Sequence, residues 1–207
     1  TKDPLNLVTV PAVSRNLHVK LLKNYDTARD MAETSVYNIG EGDGKWGIVC
    51  NGVSYKYVID AVQELEIANR VRLLRIGFSH PLPPNLIKGF LEKCDKVLVV
   101  EEGEPYLEES FKALAQEAGL TLKIRGKAPD LFSRLYEYNP AQVRTNIATF
   151  FGVSYEAKAA PDLSDVPEIP QRPPTLCAGC SHRATFYEVR KAAEGMETIF
   201  PTDIGCY

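Results

Sequence analysis

Short apolar runs alternate with amphipathic segments along most of this 207-residue chain, and that alternation limits its possible folds most strongly. The runs rich in valine, isoleucine and leucine predict buried strands. The predicted strands are Trp46–Cys50, Val71–Ile76, Lys96–Glu101 and Leu120–Ile124. Because helical segments join them through short loops, we predict a three-layer α/β fold with a doubly wound, mainly parallel sheet.

Capping residues and prolines predict where several helices begin. An extended lead-in over 1–13 precedes Ser14, which is predicted to cap a first helix with apolar residues at steps of three and four. Glu104 and Pro105 suit the N-cap and first position of a later helix. Asn139-Pro140-Ala141-Gln142 resembles a capping box that opens the last helix of the α/β body.

Prolines concentrate between Pro161 and Pro174, and this bias predicts a linker. We therefore predict an α/β domain over 1–155, a Pro-rich linker over 156–174, and the truncated start of a second domain over 175–207. In that last part, Ser181–Ala193 is predicted to be helical and Thr198–Pro201 to begin a strand.

Charge and apolar patterning exclude several classes of function. A net charge of -3 and a pI near 5.7 give no electrostatic reason to expect binding to nucleic acid or to an anionic membrane. No apolar run approaches the ~20 residues of a membrane span. The five cysteines are odd in number and are not spaced as a disulfide framework, which favours a reducing, cytoplasmic compartment.

Cysteines near the end of the chain form the strongest chemical signal. Cys177 and Cys180 stand at CxxC spacing, and Cys206 follows in Asp203-Ile204-Gly205-Cys206-Tyr207. Thiolates are soft ligands, so this set indicates an iron–sulfur cluster, a zinc site or thiol redox chemistry. The zinc alternative would use His182 or a further cysteine as fourth ligand, and the redox alternative would use the CxxC pair alone. We take Cys177, Cys180 and Cys206 as candidate metal ligands.

Three further features have structural and functional interpretations. Gly42-Asp43-Gly44 has roughly the spacing of a thiamin-diphosphate magnesium motif, but we interpret it as a turn that ends a helix and precedes the first strand. The acidic run Glu101-Glu102-Gly103-Glu104 is predicted at the carboxyl end of a strand, where α/β sheets place ligands. The structural alternative is a capped, solvated turn or a subunit contact. Lys127 has no partner that the sequence identifies.

The cysteine motifs carry a resemblance to a known family. The run Leu176-Cys177-Ala178-Gly179-Cys180-Ser181-His182-Arg183, followed by Asp203-Ile204-Gly205-Cys206-Tyr207, resembles the opening of a thiamin-diphosphate domain. That domain belongs to the alpha subunits of indolepyruvate ferredoxin oxidoreductases, members of the 2-oxoacid:ferredoxin oxidoreductase family. Ala178 and Ser181 stand where the family pattern has proline. Upstream, runs such as Val100-Glu101-Glu102-Gly103-Glu104-Pro105 are similar to the transketolase C-terminal-like domain of the same subunit.

The resemblance implies an activity, cofactors and partners for the complete enzyme. It implies oxidative decarboxylation of indolepyruvate and other aryl pyruvates with coenzyme A, giving aryl-acetyl-CoA and reduced ferredoxin. Thiamin diphosphate with Mg²⁺, iron–sulfur clusters and a beta subunit would take part. Residues matching Cys177, Cys180 and Cys206 ligate a cluster in the wider family, and Ile204 and Gly205 would lie beside thiamin. The resemblance also implies that this chain is a fragment, inactive alone. The alternative is a non-catalytic α/β interaction module with a structural zinc or CxxC redox tail.

Overall fold

The structure is a computed structural model that describes residues 3–157, 161–168, 170 and 175–201. Its internal contacts divide the chain into two compact units, Thr1–Lys158 and Ala159–Tyr207. All of the strands that the structure assigns in its described residues lie in the first unit. No helix in this described part is both long and apolar enough to cross a membrane.

Five strands form one sheet in the order β1-β3-β2-β4-β5. The strands are β1 (Ile39–Glu41), β2 (Trp46–Cys50), β3 (Val71–Arg75), β4 (Lys96–Val100) and β5 (Lys123–Arg125). Strand β2 pairs in parallel with β3 and β4, and β4 pairs in parallel with β5. Only β1, at the edge of this sheet, is antiparallel to its neighbour, β3. The predicted α/β class with a mainly parallel sheet is confirmed.

Among the described residues, six helices belong to the first unit and one to the second. They are α1 (Pro4–Leu7), α2 (Pro11–Glu33), α3 (Ser54–Glu64), α4 (Pro84–Leu91), α5 (Tyr106–Glu117), α6 (Pro140–Phe151) and, in the second unit, α7 (Ser181–Ala192). The capping box at the start of α6 is confirmed in its main contact, since the Asn139 side chain accepts a hydrogen bond from the backbone N–H of Gln142 at 2.9 Å.

The core lies on both faces of the sheet, because successive strand residues point to opposite sides. Ile48 and Leu98 lie on one face, in a buried cluster with residues of α3 and α6. Val49 and Val99, their direct neighbours in sequence, lie on the other face with residues of α4 and α5. The three layers are therefore α3 and α6, the sheet, and α4 and α5, as the alternating pattern predicted.

Helix α2 departs from its prediction in start and in burial. It begins at Pro11, three residues before Ser14, because proline at the first helical position has its φ fixed near the helical value and loses no hydrogen bond there. Residues 4–7 of the predicted extended lead-in form α1. Ala32 is the buried residue of α2, whereas Leu21 and Tyr25 are exposed. Periodicity thus predicted the helix, but not that most of its apolar face lies open in this chain.

In the glycine-rich stretch 40–44, the sequence predicted the turn but not the short strand β1 before it. Strand β1 precedes Gly42-Asp43-Gly44, so the prediction that this stretch follows a helix directly was wrong. The stretch is a loop held against β3: the N–H of Gly44 donates to the Val71 carbonyl at 3.2 Å, and Gly42 has φ +75°. Arg72 donates to the Asp43 carbonyl at 3.0 Å, while the Asp43 side chain is exposed. These contacts agree with a turn.

Other predicted elements differ from the structure as well, and β3 and β4 each end one residue earlier than predicted, at Arg75 and Val100. Strand β5 starts at Lys123 and not at Leu120, because the N–H of Leu120 donates to the Ala115 carbonyl at 2.9 Å and closes the end of α5. Helix α5 starts at Tyr106, one residue later than predicted, with Pro105 as its N-cap. Thr198–Pro201 is irregular and forms no strand.

Candidate functional site

The CxxC pair forms a tight turn that leads directly into α7. The N–H of Cys180 donates to the Cys177 carbonyl at 3.2 Å, and Gly179 between them has φ +76°, a value that favours glycine. Cys180 is the N-cap of α7, with extended backbone angles and no side-chain cap. Both thiols are free, Cys177 exposed and Cys180 partly exposed. The predicted helix after the pair is confirmed, and it ends one residue earlier, at Ala192.

His182 stands next to one of the two sulfurs. Its Nδ1 lies 3.6 Å from the Sγ of Cys180, and its ring stacks near Phe186 with 6.4 Å between centroids. A tetrahedral zinc ion with bonds of about 2.3 Å to sulfur and 2.05 Å to nitrogen would separate such atoms by about 3.6 Å. The same distance also fits a sulfur–imidazole hydrogen bond. The geometry therefore leaves open the zinc alternative in which His182 is a ligand.

The other predicted site residues lie outside the described part of the chain. Cys206, the third candidate ligand, and Ile204 and Gly205, the candidate thiamin neighbours, are among them. Within the described residues, no group of three or more histidine, cysteine, aspartate or glutamate side chains is arranged to hold a metal ion. The complete ligand set thus stays a prediction, while the CxxC turn supplies two accessible donors of the type that zinc or an iron–sulfur cluster requires.

The unit around the CxxC turn has little core of its own. No described residue of this unit is buried. The apolar side chains of Phe186 and Val189, one turn apart on α7, are exposed, and so is Met196, which follows the helix although the sequence pattern had placed it on the same face. Exposed apolar faces of this kind mark surfaces that other protein segments cover.

The four cysteines that the structure describes should differ sharply in alkylation rate. Burial raises the pKa of Cys50 to about 12 and that of Cys94 to about 11. At about pH 8 a thiol with a pKa near 12 is only ~10⁻⁴ ionised, and the thiolate is the reacting species. In the folded chain we expect iodoacetamide to modify Cys177 and Cys180 first, Cys94 more slowly and Cys50 last, as followed by peptide mass spectrometry. Early labelling of Cys50 would contradict the buried position.

Cys50 should also make the α/β unit less stable at alkaline pH. The folded-state pKa of about 12 lies above the ordinary value of 9.0, so the unfolded chain releases this proton first. The contribution is fully present below about pH 9 and is lost as the pH rises toward 12. We expect the free energy of unfolding in urea to fall more steeply above about pH 9 in the wild-type chain than in Cys50→Ala. Cys177→Ala, which removes an exposed thiol, should keep the wild-type slope.

The acidic run at the carboxyl end of β4 is built around a buried helix cap. The two carboxylate oxygens of Glu101 accept hydrogen bonds from the N–H of Leu107 at 2.7 Å and the N–H of Glu108 at 2.9 Å. The side chain is 3% exposed, and this burial raises the pKa of its carboxyl, against the opposing effect of the two N–H donors and Lys127. Glu101 therefore caps α5, and the assignment of this role to Glu104 was wrong.

Lys127 lies in the loop that follows β5 and connects this loop to the cap of α5. Its ammonium group contacts the carbonyl oxygens of Glu101 and Ser133 and the hydroxyl of Tyr138. Its backbone N–H donates to the buried carboxylate of Glu108 at 2.6 Å. Burial lowers the pKa of Lys127, and the nearby glutamates act in the opposite direction. The sequence identified no partner for this lysine, and the structure supplies them.

The remaining acidic side chains of the run have partners as well. Glu102 accepts from the N–H of Tyr138 at 2.9 Å, and Glu104 forms an ion pair with Arg134. All three carboxylates thus anchor backbone or neighbouring side chains. This favours the interpretation as a capped turn, although Glu101 is buried and not solvated. The one hint in the sequence is Gly126, since a glycine at the end of a strand can mark a close approach of other groups. In the structure, a Cβ atom at this position would stand 2.7 Å from Glu108 Oε2.

Comparison with known proteins gives matches along the whole chain. The "Indolepyruvate oxidoreductase subunit IorA" of Methanothermobacter thermautotrophicus is 41% identical over 215 residues, that of Thermococcus kodakarensis 38% over 213, and that of Archaeoglobus fulgidus 35% over 212. Each alignment covers 100% of this chain but only 32–34% of the relative, so the chain spans about a third of the length of the curated relatives it matches. No protein-family model matches the chain.

Proposed function

Because the chain belongs to the family of the indolepyruvate oxidoreductase subunit IorA, we propose that it is part of an enzyme that oxidises indolepyruvate and other aryl pyruvates. The identity of 35–41% over the full chain carries this proposal. The complete protein would use coenzyme A as acyl acceptor and ferredoxin as electron acceptor, together with a second, beta subunit. The chain described here would be inactive without the rest of the protein.

Within that enzyme we assign the CxxC turn to metal binding. Cys177 and Cys180 present free, accessible thiols on one turn that leads directly into α7. Cys206 would be a third ligand. An iron–sulfur cluster bound here would pass single electrons from the substrate to ferredoxin.

Two residues are assigned to the organic cofactor. Ile204 and Gly205 would lie beside thiamin diphosphate, whose bound Mg²⁺ would be held by other parts of the protein. The cofactor supplies the carbanion chemistry that a 2-oxo acid needs in order to lose carbon dioxide, and the protein supplies its binding and orientation.

A metal analysis of the full-length subunit with its partner subunit tests the assignment. Anaerobically purified wild-type protein should contain iron and acid-labile sulfide, and reduce a viologen dye with indolepyruvate and coenzyme A. Cys177→Ser and Cys180→Ser should each lower the iron content and slow dye reduction. Cys94→Ser is the matched control, because this thiol lies in the α/β unit and only donates to the Phe90 carbonyl at 3.3 Å. Unchanged iron in both CxxC variants would contradict the assignment.

The second candidate is an interaction module with a structural zinc at the same turn. The 3.6 Å between Cys180 Sγ and His182 Nδ1 favours it, because this distance matches one edge of a zinc tetrahedron. Here the purified protein should contain zinc without sulfide, and His182→Ala should lower the zinc content as strongly as Cys180→Ser. Iron and sulfide that are unaffected by His182→Ala would exclude this candidate.

A further inference from the structure

Within the α/β unit, a cleft opens at the carboxyl ends of β2 and β3. Its volume is about 480 Å³, and its lining includes Tyr37, Asn51, Gly52, Tyr55, Arg75 and Ser79. Strand β2 is central in the sheet: the chain passes from it to β3 on one side and later to β4 on the other. Open α/β sheets bind ligands outside the carboxyl ends of such strands. Cavities of roughly 300–1,000 Å³ accept small molecules.

Arg75, the last residue of β3, brings a positive charge into this cleft. Its guanidinium lies 4.9 Å from the centroid of the Tyr55 ring. Its Nε atom is buried and has no hydrogen-bond partner among the described residues. No carboxylate of the described part of the chain lies within ion-pair distance of it, whereas Arg72, Arg125 and Arg144 each have one. Burying part of a cation without a counter-charge costs free energy, so an anion bound beside Arg75 would be stabilised by its charge.

Helix α3 adds a second favourable element to the same cleft. The helix starts at Ser54, directly after the lining residues Asn51 and Gly52, and no side chain caps its N-terminus. Helix N-termini carry partial positive charge and bind phosphate and carboxylate groups. The N–H groups of Tyr55 and Lys56 already donate to the carbonyls of Gly52 and Val53 at 3.4 and 3.0 Å. The helix end therefore contributes partial positive charge, and the Arg75 guanidinium supplies the hydrogen-bond donors for a ligand.

One acidic side chain lies close to this arrangement and has its own partner. The hydroxyl of Tyr55 donates to Oε1 of Glu41 at 2.9 Å. The Arg75 guanidinium lies over the face of the same tyrosine ring. Tyr55 therefore engages the Glu41 carboxylate and leaves the outer nitrogens of Arg75 for an incoming anion.

We infer that the cleft between the ends of β2 and β3 binds a phosphate group, held by Arg75 and the N-terminus of α3, either as free phosphate or as part of a small phosphorylated molecule. Arginine suits this group because its planar fork forms paired hydrogen bonds with phosphate oxygens. All of the residues that line the cleft belong to the α/β unit, and the inference does not depend on the proposed enzymatic function.

The first test observes the wild-type chain directly. The ¹⁵Nε–Hε signals of its arginines are followed by NMR while inorganic phosphate replaces chloride at constant ionic strength. We expect a saturable shift of the Arg75 signal. The signal of Arg70 should not move, although this arginine also stacks on an aromatic ring, Trp46 at 5.2 Å, because it precedes β3 at the opposite edge of the sheet. Absence of a saturable Arg75 shift, or an equal shift at Arg70, overturns the inference.

The second test uses variants of the same chain. Arg75→Met should weaken phosphate binding at least about tenfold, equivalent to ~1.4 kcal/mol, and Arg75→Lys should fall between it and the wild type. Arg70→Met, the matched control, should bind as the wild type does. The wild-type NMR titration decides the question if Arg75→Met does not fold.

Two further ligands define the chemistry of the site. Adenosine 5′-monophosphate binding more tightly than inorganic phosphate would identify a phosphorylated molecule as the ligand, and equal binding would identify phosphate itself. Acetate binding as tightly as phosphate overturns the assignment to a phosphate group.

Discussion

Replacing Glu101 with alanine is expected to lower the free energy of unfolding by about 3 kcal/mol. The carboxylate accepts hydrogen bonds from two backbone N–H groups at the start of α5, at 2.7 and 2.9 Å. The site is 3% exposed, so water cannot replace the lost acceptor without opening the structure. Each buried donor left without a partner costs roughly 1–3 kcal/mol.

Urea unfolding followed by circular dichroism measures this loss, and two variants identify its cause. Glu101→Gln keeps the shape and one acceptor oxygen but turns an NH₂ group toward a backbone donor, so it should lose about half as much stability. Glu109→Ala removes an exposed acidic residue of the first turn of the same helix, where only the interaction with the helix dipole is lost. That loss should be under about 1 kcal/mol. Similar losses in Glu101→Ala and Glu109→Ala would show that Glu101 does not cap α5.

Replacing Gly44 with alanine is expected to cost at least about 3 kcal/mol or to prevent folding of the α/β unit. A Cβ atom at this position would stand 1.9 Å from both the carbonyl carbon and the oxygen of Arg70, and 2.3 Å from the nitrogen of Val71. These are backbone atoms, so no side-chain rotation relieves the overlap. The loop would have to move away from β3 and break the hydrogen bond from Gly44 to the Val71 carbonyl.

Gly40→Ala is the matched control for this prediction, because it lies in the same glycine-rich stretch. No atom lies within 4 Å of a Cβ at Gly40, and its φ is outside the left-handed region. We expect a change within about 0.5 kcal/mol, measured by thermal and urea unfolding of both variants. A Gly44→Ala chain as stable as Gly40→Ala would mean that the loop does not pack against β3 as described.

Sequence patterns predicted the regular elements well where hydrophobic periodicity and local chemistry agreed. The runs that became β2, β3 and β4 are apolar, since both faces of a parallel sheet are buried, and the Asn139 cap of α6 is a local contact within four residues. Some boundaries were wrong for local reasons, such as the hydrogen bond from Leu120 to Ala115 that delays β5, but the missed strand was decided by a distant contact. Strand β1 forms because it pairs with Arg75, Leu74 and Leu73, more than thirty residues later in the chain.

The candidate functional residues show the same difference between local patterns and distant contacts. The CxxC spacing by itself indicated paired thiols at a helix start, because both the turn and the helix cap are set by neighbouring residues. The roles of Glu101, Lys127 and Arg75 could not be found from spacing. Glu101 and Lys127 are 26 positions apart, and the partners of Lys127 come from two further segments of the loop after β5.

The sequence by itself determined the α/β class, the parallel core of the sheet, the CxxC turn and, through its similarity to IorA subunits, the family. These features depend on periodicity and on contacts between residues that are close in sequence. Only the tertiary structure decided which charged side chains are buried and which lack a partner. Burial and pairing depend on elements that meet only when the sheet assembles, so Glu101 became a helix cap and Arg75 was left beside an open cleft.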